Sequence, residues 1–357
     1  MTTEEKLKIL KSVGEEIITN DELKELLSLN ETLIAYDGFE PSGQMHIGQG
    51  ILRTININKV IKCGIKFKML IADWHALANN KMDGDLEKIK TVGKYFIETW
   101  KAAGLNTEKV EFVWASDLVS DSDYWKLVLQ IAKTNSIKRF IRCAEIMGRD
   151  ESVDLSAAQI IYPCMQIADI FTLKAKITQL GMDQRKVNVL AREIGMQLGF
   201  WKPVIISHHM ILGLGKPSES QDKKEKIKDL KMSKSNPDSA IFMTDKENEI
   251  KEKIDKAWCP EKEIDGNPIL EYFKYIVFEK FDKITLTRSE KFGGDIEFDN
   301  YIDLEKKYEN GEIHPQDSKN TLVYYLNQLI EPVRKHFQNN PYAKSLLEQV
   351  KSFEITK

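Results

Sequence analysis

Apolar positions along this chain change their spacing from segment to segment, and the changes outline a fold. Residues 1–30 set Leu and Ile at helical intervals among Glu and Lys, with Asn20-Asp21 as a cap for a second short helix. Thr32 to Tyr36 reads as a strand that breaks into the turn Asp37-Gly38-Phe39-Glu40-Pro41-Ser42-Gly43, and a helix pattern begins near His46. Phe67–Ala72 and Val110–Trp114 read as strands on either side of a long amphipathic helix from Asp85 to Ala103. Lys186–Leu198 is helical and Pro203–Ser207 is another short strand. Strands alternating with helices predict an α/β, Rossmann-like, doubly wound parallel sheet over residues 31–245, after the helices of 1–30. Within it, 121–165 reads as a helical insertion, and 215–235 as a mobile, charged loop with few apolar residues. Strand signals then fade, which predicts a mainly α-helical C-terminal domain over 265–357.

Composition narrows the class without naming a function. A chain of 357 residues exceeds one compact core, in line with two domains. With 52 Lys+Arg against 55 Asp+Glu the net charge is −3, so any RNA contact must come from local basic patches. Cys63, Cys143, Cys164 and Cys259 are scattered with no C-x-x-C pair, which indicates neither a zinc site nor a disulfide framework. The start MTTEEKLKIL has neither the apolar core of a signal peptide nor the character of a transit peptide. No apolar run approaches the roughly 20 residues that cross a bilayer. The expectation is a cytoplasmic protein with no membrane partner.

Two segments carry chemistry. In Pro41-Ser-Gly43-Gln-Met-His46-Ile-Gly48-Gln49, glycines let backbone approach a phosphate, and the following helix start offers free N–H groups. An imidazole in the first helical turn can donate to phosphate oxygens as charge develops. Far downstream, Lys231-Met232-Ser233-Lys234-Ser235 places two lysines where they can bracket a triphosphate, with hydroxyls between them.

Together these segments resemble the HIGH and KMSKS motifs of the class I aminoacyl-tRNA synthetases. The second matches in full; in the first, Gln49 stands where a second histidine would be, keeping a donor but no charge. The resemblance implies an ATP site of Pro41, Gly43, His46, Gly48 and Gln49 facing Lys231, Met232, Ser233, Lys234 and Ser235. It gives catalytic roles to His46, Gln49, Lys231 and Lys234, with Mg²⁺ arriving on the ATP phosphates.

Three further stretches, around Tyr36, Ile161–Ile170 and Gly181–Asn188, resemble the tyrosine pocket of the archaeal and eukaryotic-cytosolic tyrosyl-tRNA synthetases. Ile161-Tyr162-Pro163 is expected to begin extended and then turn helical, and a helix over 163–170 would put Tyr162, Gln166 and Asp169 on one face. By resemblance, Tyr36 and Asp169 bond the substrate phenol, while Glu40, Tyr162, Gln166 and Gln184 complete the tyrosine site, the last three around the amine and carboxylate. A tryptophan-specific relative would need an indole-shaped pocket, against which Tyr36 and Asp169 argue. A catalytically silent RNA-binding relative would be expected to lose His46 or the lysine loop.

The same resemblance places Arg185 at the acceptor stem of the tRNA for tyrosine, and Phe292, His314 and Asp317 around an anticodon base, with Phe292 stacking. Lys138, Arg139 and Arg142 form either a positive stripe or a solvated helix face. The insertion corresponds to the family's dimer interface, which implies a homodimer. The apolar spacing of Tyr124, Leu127 and Ile131 alone fits internal core equally well.

Overall fold

The computed structural model describes residues 1–29, 31–143, 155–217, 232 and 237–353. The strands are β1 (Glu16–Ile18), β2 (Ile34–Phe39), β3 (Lys66–Ile71), β4 (Val110–Trp114), β5 (Ile177–Thr178) and β6 (Val204–Ser207), and in space they run β1-β6-β5-β2-β3-β4. Strands β2 to β6 pair in parallel, and β1 closes one edge antiparallel with Ile17 opposite Ile206. The doubly wound parallel sheet is as expected, with two departures: the two-residue strand β5 was not read from the sequence, and the N-terminus differs. The segment read as two helices also supplies the edge strand between them, and three residues are too few to show a period-two pattern.

The helices of this body are α1 (Thr3–Val13), α2 (Asn20–Ser28), α3 (Arg53–Lys62), α4 (Asp73–Ala78), α5 (Leu86–Ala102), α6 (Ala115–Val119), α7 (Ser122–Ala132), α8 (Ile137–Ile141), α9 (Ala157–Thr172) and α10 (Arg185–Gly195). Local chemistry sets their starts. Thr19 caps α2 in a capping box with Glu22, one residue ahead of the expected cap, and Asp85 caps α5 through the N–H groups of Glu87 and Lys88. The extended start expected at Ile161 is not observed, because α9 is already helical from Ala157 and carries Pro163 inside it. An interior proline costs a helix about 3 kcal/mol. Here the Ser156–Gln159 capping box and a face buried from Tyr162 to Phe171 offset that cost.

Side chains alternate across the sheet. Along β2, Ala35 and Phe39 pack into the core shared with α1, α3 and α5, whereas Tyr36 packs into the core shared with α7 and α9. Tyr124, Leu127 and Ile131 of the insertion are buried in that second core, so their spacing marks internal packing.

Beyond residue 245 helices dominate, at Glu247–Lys256, Pro268–Tyr272, Tyr301–Glu309, Pro315–Asn339 and Pro341–Ser352. A short antiparallel hairpin, β7 (Ile284–Leu286) and β8 (Ile296–Phe298), was not anticipated. The packing continues across the whole chain: Tyr95 of α5 meets Phe337 at 5.3 Å between ring centroids.

Candidate active site

In the order β1-β6-β5-β2-β3-β4 the winding direction reverses between β2 and β5, and a crevice opens beyond the carboxyl ends of the strands at such a point. A cavity of ≈ 280 Å³ lies there, close to the size usual for small-molecule sites. Its wall comes from the ends of β2, β3, β5 and β6 and from the inner face of α9. It contains Tyr36, Glu40, His46, Gly48, Gln49, Tyr162, Gln166, Asp169, Gln184 and Met232, all singled out from sequence.

One end is built for a hydroxyl. Asp169 on α9 and Tyr36 on β2 are each 1% exposed. Asp169 Oδ1 accepts the Tyr124 hydroxyl at 2.8 Å, and Oδ2 lies 2.9 Å from His75 Nε2, off the line of a hydrogen bond. The Tyr36 hydroxyl and Asp169 Oδ2 are buried without a hydrogen-bond partner among the described residues. Buried polar atoms left unpaired cost about 1–3 kcal/mol each, so a pair of them in a cavity marks where a polar ligand belongs. Burial, then the charges of Asp169 and Asp37, push the Tyr36 phenol far above its ordinary pKa, so it is a neutral donor and acceptor.

A polar wall joins this end to the mouth. Glu40 accepts a short hydrogen bond from Tyr162 and two from Asn79 Nδ2 at 3.2 Å. Gln166 donates to Gln184 at 3.0 Å, α9 supplying the first and the turn before α10 the second. The i, i+4, i+7 spacing read from the sequence therefore brings Tyr162, Gln166 and Asp169 into one cavity.

The other end faces the glycine turn. Main-chain bonds tie that turn to the segment just after the downstream motif: Ile47 N donates to Ile241 O at 2.9 Å and Met243 N to Met45 O at 2.8 Å. Met232 reaches the cavity wall, whereas Lys231, Ser233, Lys234 and Ser235 lie outside the described residues. A Cβ on Gly48 would stand 2.7 Å from Ile211 Cγ2 and 3.1 Å from His46 Nδ1, so only glycine lets the imidazole fold back here. The Gln49 carbonyl accepts the Trp100 indole N–H at 2.8 Å, and its side-chain oxygen is buried without a hydrogen-bond partner. Pro41 and Gly43 shape the turn, Gly43 at a φ of 119°, but do not line the cavity.

Sequence reading gave no site role to Asp37, Arg53, His75, Lys81 or Tyr124, yet all but Tyr124 line the cavity. Arg53 was detectable as a lone cation in the apolar run Ile51-Leu52-Arg53-Thr54-Ile55. Lys81 comes from a turn in which Asn80, Met82 and Asp83 all take positive φ, pegged by buried Met82.

The residues assigned to tRNA lie elsewhere. Arg185 opens α10 and pairs with Glu16 at 2.6 Å. Phe292 is 62% exposed on a turn, with Lys291 Nζ 5.6 Å from its ring centre. Arg288 joins that turn to the segment leading into the helix Pro315–Asn339, through Gly294 O at 2.6 Å and Glu312 O at 2.9 Å. His314 caps that helix and Asp317 lies in its first turn. Arg139 pairs with Glu193 at 2.8 Å, which takes one cation out of the suggested stripe.

The sequence matches the family described as tRNA synthetases class I (W and Y) over residues 28–331. It is 53% identical to "Tyrosine–tRNA ligase 2, cytoplasmic" and 51% identical to "Tyrosine–tRNA ligase 1, cytoplasmic", both of Arabidopsis thaliana. Each comparison covers 99% of this chain, with 46% of the first protein and 90% of the second. Among solved structures, Leishmania major tyrosyl-tRNA synthetase in complex with tyrosinol superposes with a TM-score of 0.90 at 44% identity, over 99% of this chain and 61% of that one. The chain thus spans less than two thirds of two of these three relatives and nearly all of the third. With the sheet, the two motif segments and full-length identity in agreement, the chain belongs to the class I tyrosine–tRNA ligases, the tyrosyl-tRNA synthetases.

Proposed function

We propose that this chain activates L-tyrosine with ATP and transfers it to its tRNA in two steps. A tyrosine carboxylate oxygen attacks the α-phosphorus; an O–P bond forms as the bond to the bridging oxygen of the β-phosphate breaks, and pyrophosphate leaves. A terminal ribose hydroxyl of the tRNA then attacks the tyrosyl carbonyl, releasing AMP. Tyr36 and Asp169 take the phenol, and Glu40, Tyr162, Gln166 and Gln184 surround the amine and carboxylate. No protein nucleophile is needed. Catalysis is positioning and charge stabilisation by His46, Gln49, Lys231 and Lys234. Among the described residues no group of three or more His, Cys, Asp or Glu side chains is arranged to hold a metal ion; Mg²⁺ is taken to arrive on the ATP phosphates, as the family resemblance implies.

The observation that carries the reading is the buried couple of Tyr36 hydroxyl and Asp169 Oδ2, neither of which has a hydrogen-bond partner among the described residues. A phenol completes both, and a phenyl ring leaves both bare. Arg185 and the Phe292, His314 and Asp317 group are assigned to the acceptor stem and anticodon of the tRNA. A homodimer through the insertion is supported by outward apolar side chains, Leu129 at 64% and Ile137 at 62% exposure. No described helix is long and apolar enough to cross a membrane, and a cytoplasmic location is proposed from the relatives' names.

The test is amino-acid-dependent ATP–pyrophosphate exchange with the wild-type chain and Asp169→Ala. Exchange with tyrosine alone, lost or made indiscriminate in the variant, is expected. Folded protein that exchanges with no amino acid would overturn the reading.

A further inference from the structure

Helix α4 turns the imidazole of His75 inward, where it is 2% exposed at the phenol end of the cavity. Its Nε2 lies 2.9 Å from Asp169 Oδ2. Its ring stands edge-on to Tyr162 with centroids 5.0 Å apart, and Nδ1 is buried with no hydrogen-bond partner. We propose that His75 is a positioning and specificity residue for tyrosine: its ion pair with Asp169 Oδ2 holds that carboxylate in place, so that the selector of the phenol is the His75–Asp169 pair and not Asp169 alone. The inference rests on the assignment of Asp169 to the substrate phenol.

A carboxylate removed from water holds its charge only with a cation or several donors beside it. Among the described residues Asp169 accepts one hydrogen bond, from Tyr124 on Oδ1. Arg53, the other buried cation nearby, is committed to Asp37 and Gln179. Among the described residues His75 is the group at ion-pair distance from Asp169. Facing the imidazole are Asp169 of α9, Glu40 beyond β2 and Asp73 of its own helix, with Tyr162 at the ring edge. Burial alone would lower its pKa, but these carboxylates outweigh burial and raise it above the ordinary value.

The geometry divides the work on Asp169. Tyr124 fixes one oxygen, and His75 supplies charge beside the other from a direction that leaves Oδ2 without a hydrogen bond. Oδ2 therefore keeps its accepting capacity for an incoming hydroxyl. Removing the imidazole leaves the buried carboxyl without the cation beside Oδ2, free to turn away from an incoming hydroxyl, and the preference for a hydroxylated ring falls.

The experiment compares wild type, His75→Gln, His75→Leu and Asp169→Asn in tyrosine- and phenylalanine-driven ATP–pyrophosphate exchange between about pH 6 and 9, with thermal melting of each protein. His75→Leu should raise KM for tyrosine by about tenfold or more, with KM for ATP nearly unchanged and the tyrosine-to-phenylalanine ratio reduced by a similar factor. His75→Gln keeps a donor without charge. Its KM for tyrosine should stay raised and flat with pH, whereas in wild type KM climbs as pH rises and the imidazolium, whose pKa lies above its ordinary value, gives up its proton. If His75→Leu does not fold, the pH profile of His75→Gln decides. Wild-type selectivity and a wild-type pH profile in His75→Gln would overturn the proposal. So would parallel losses in tyrosine KM, ATP KM and melting temperature, which mark a purely structural residue. If Asp169→Asn also keeps full selectivity, the assignment of the phenol site itself has failed; if only the histidine variants do, this inference alone has.

Discussion

Arg53 donates from Nε to Asp37 Oδ2 at 2.9 Å, and the two side chains are only 1% and 4% exposed. The pair lines the cavity, joining the strand that carries Tyr36 to the helix that follows the glycine turn. Removing one partner of a buried ion pair strands the other charge, which costs about 3–5 kcal/mol. Burial lifts the Asp37 pKa from 3.8 to about 6 in spite of Arg53. Across that window the folded chain holds a proton that the unfolded chain has released, so this group's contribution to stability falls as pH rises. Without Arg53 the window extends further up. Arg53→Met should therefore lose more stability at pH 8 than at pH 5, read from denaturant midpoints. Equal losses at both values would mean the charge of Asp37 is not what Arg53 neutralises.

Gly48 has a single nearby consequence that can be tested. A methyl there would press on Ile211 and on the His46 ring, the group assigned to the phosphates. Gly48→Ala should lower kcat for exchange by about tenfold or more, while KM for tyrosine stays near wild type because the phenol end is untouched. A change in tyrosine KM alone would contradict that separation.

His209 joins three parts of the chain. Its Nδ1 lies 2.9 Å from Glu15 and its Nε2 2.9 Å from Glu271, and its ring stacks on Tyr275 at 4.2 Å. Burial would lower its pKa, but the two carboxylates raise it from 6.5 to about 9. Its contribution to stability is thus complete below pH 6.5 and lost as pH rises to about 9. Thermal melts at those two pH values should show the wild type losing about 2 kcal/mol more than His209→Gln. Identical pH dependence in the two proteins would rule the ion triad out as the cause.

Phe292 stands out in solvent, where a core aromatic would not. A base stacked on such a ring contributes about 1–3 kcal/mol. Phe292→Ala should raise KM for tRNA in aminoacylation by about tenfold, with tyrosine-dependent exchange unchanged. A fall in exchange would point instead to misfolding of the C-terminal helices.

Much of this was legible along the chain because it depends on local spacing. Period-two and period-3.6 patterns in residues 31–210 gave four of the sheet's strands and its longer helices, but not the two-residue β5. The interval from Tyr162 to Gln166 to Asp169 is a helical face whatever surrounds it. What misled was local as well. Pro163 suggested an extended start, because proline propensity is visible in sequence while the buried face that overrides it is not.

The sequence by itself determined the family, most of the α/β order of elements and ten of the residues that wall the cavity, since motifs and periodicity are properties of neighbours in the chain. Tertiary structure alone decided how those residues are paired. His75 meets Asp169 from a different helix, Arg53 returns to Asp37 across the turn, and Tyr124 joins α7 to α9 instead of facing outward. Such contacts arise when a right-handed winding of strands and helices folds distant segments onto one sheet edge. Whether a buried charge is neutralised or stranded depends on what arrives there from elsewhere in the chain, and spacing along the sequence carries no record of that.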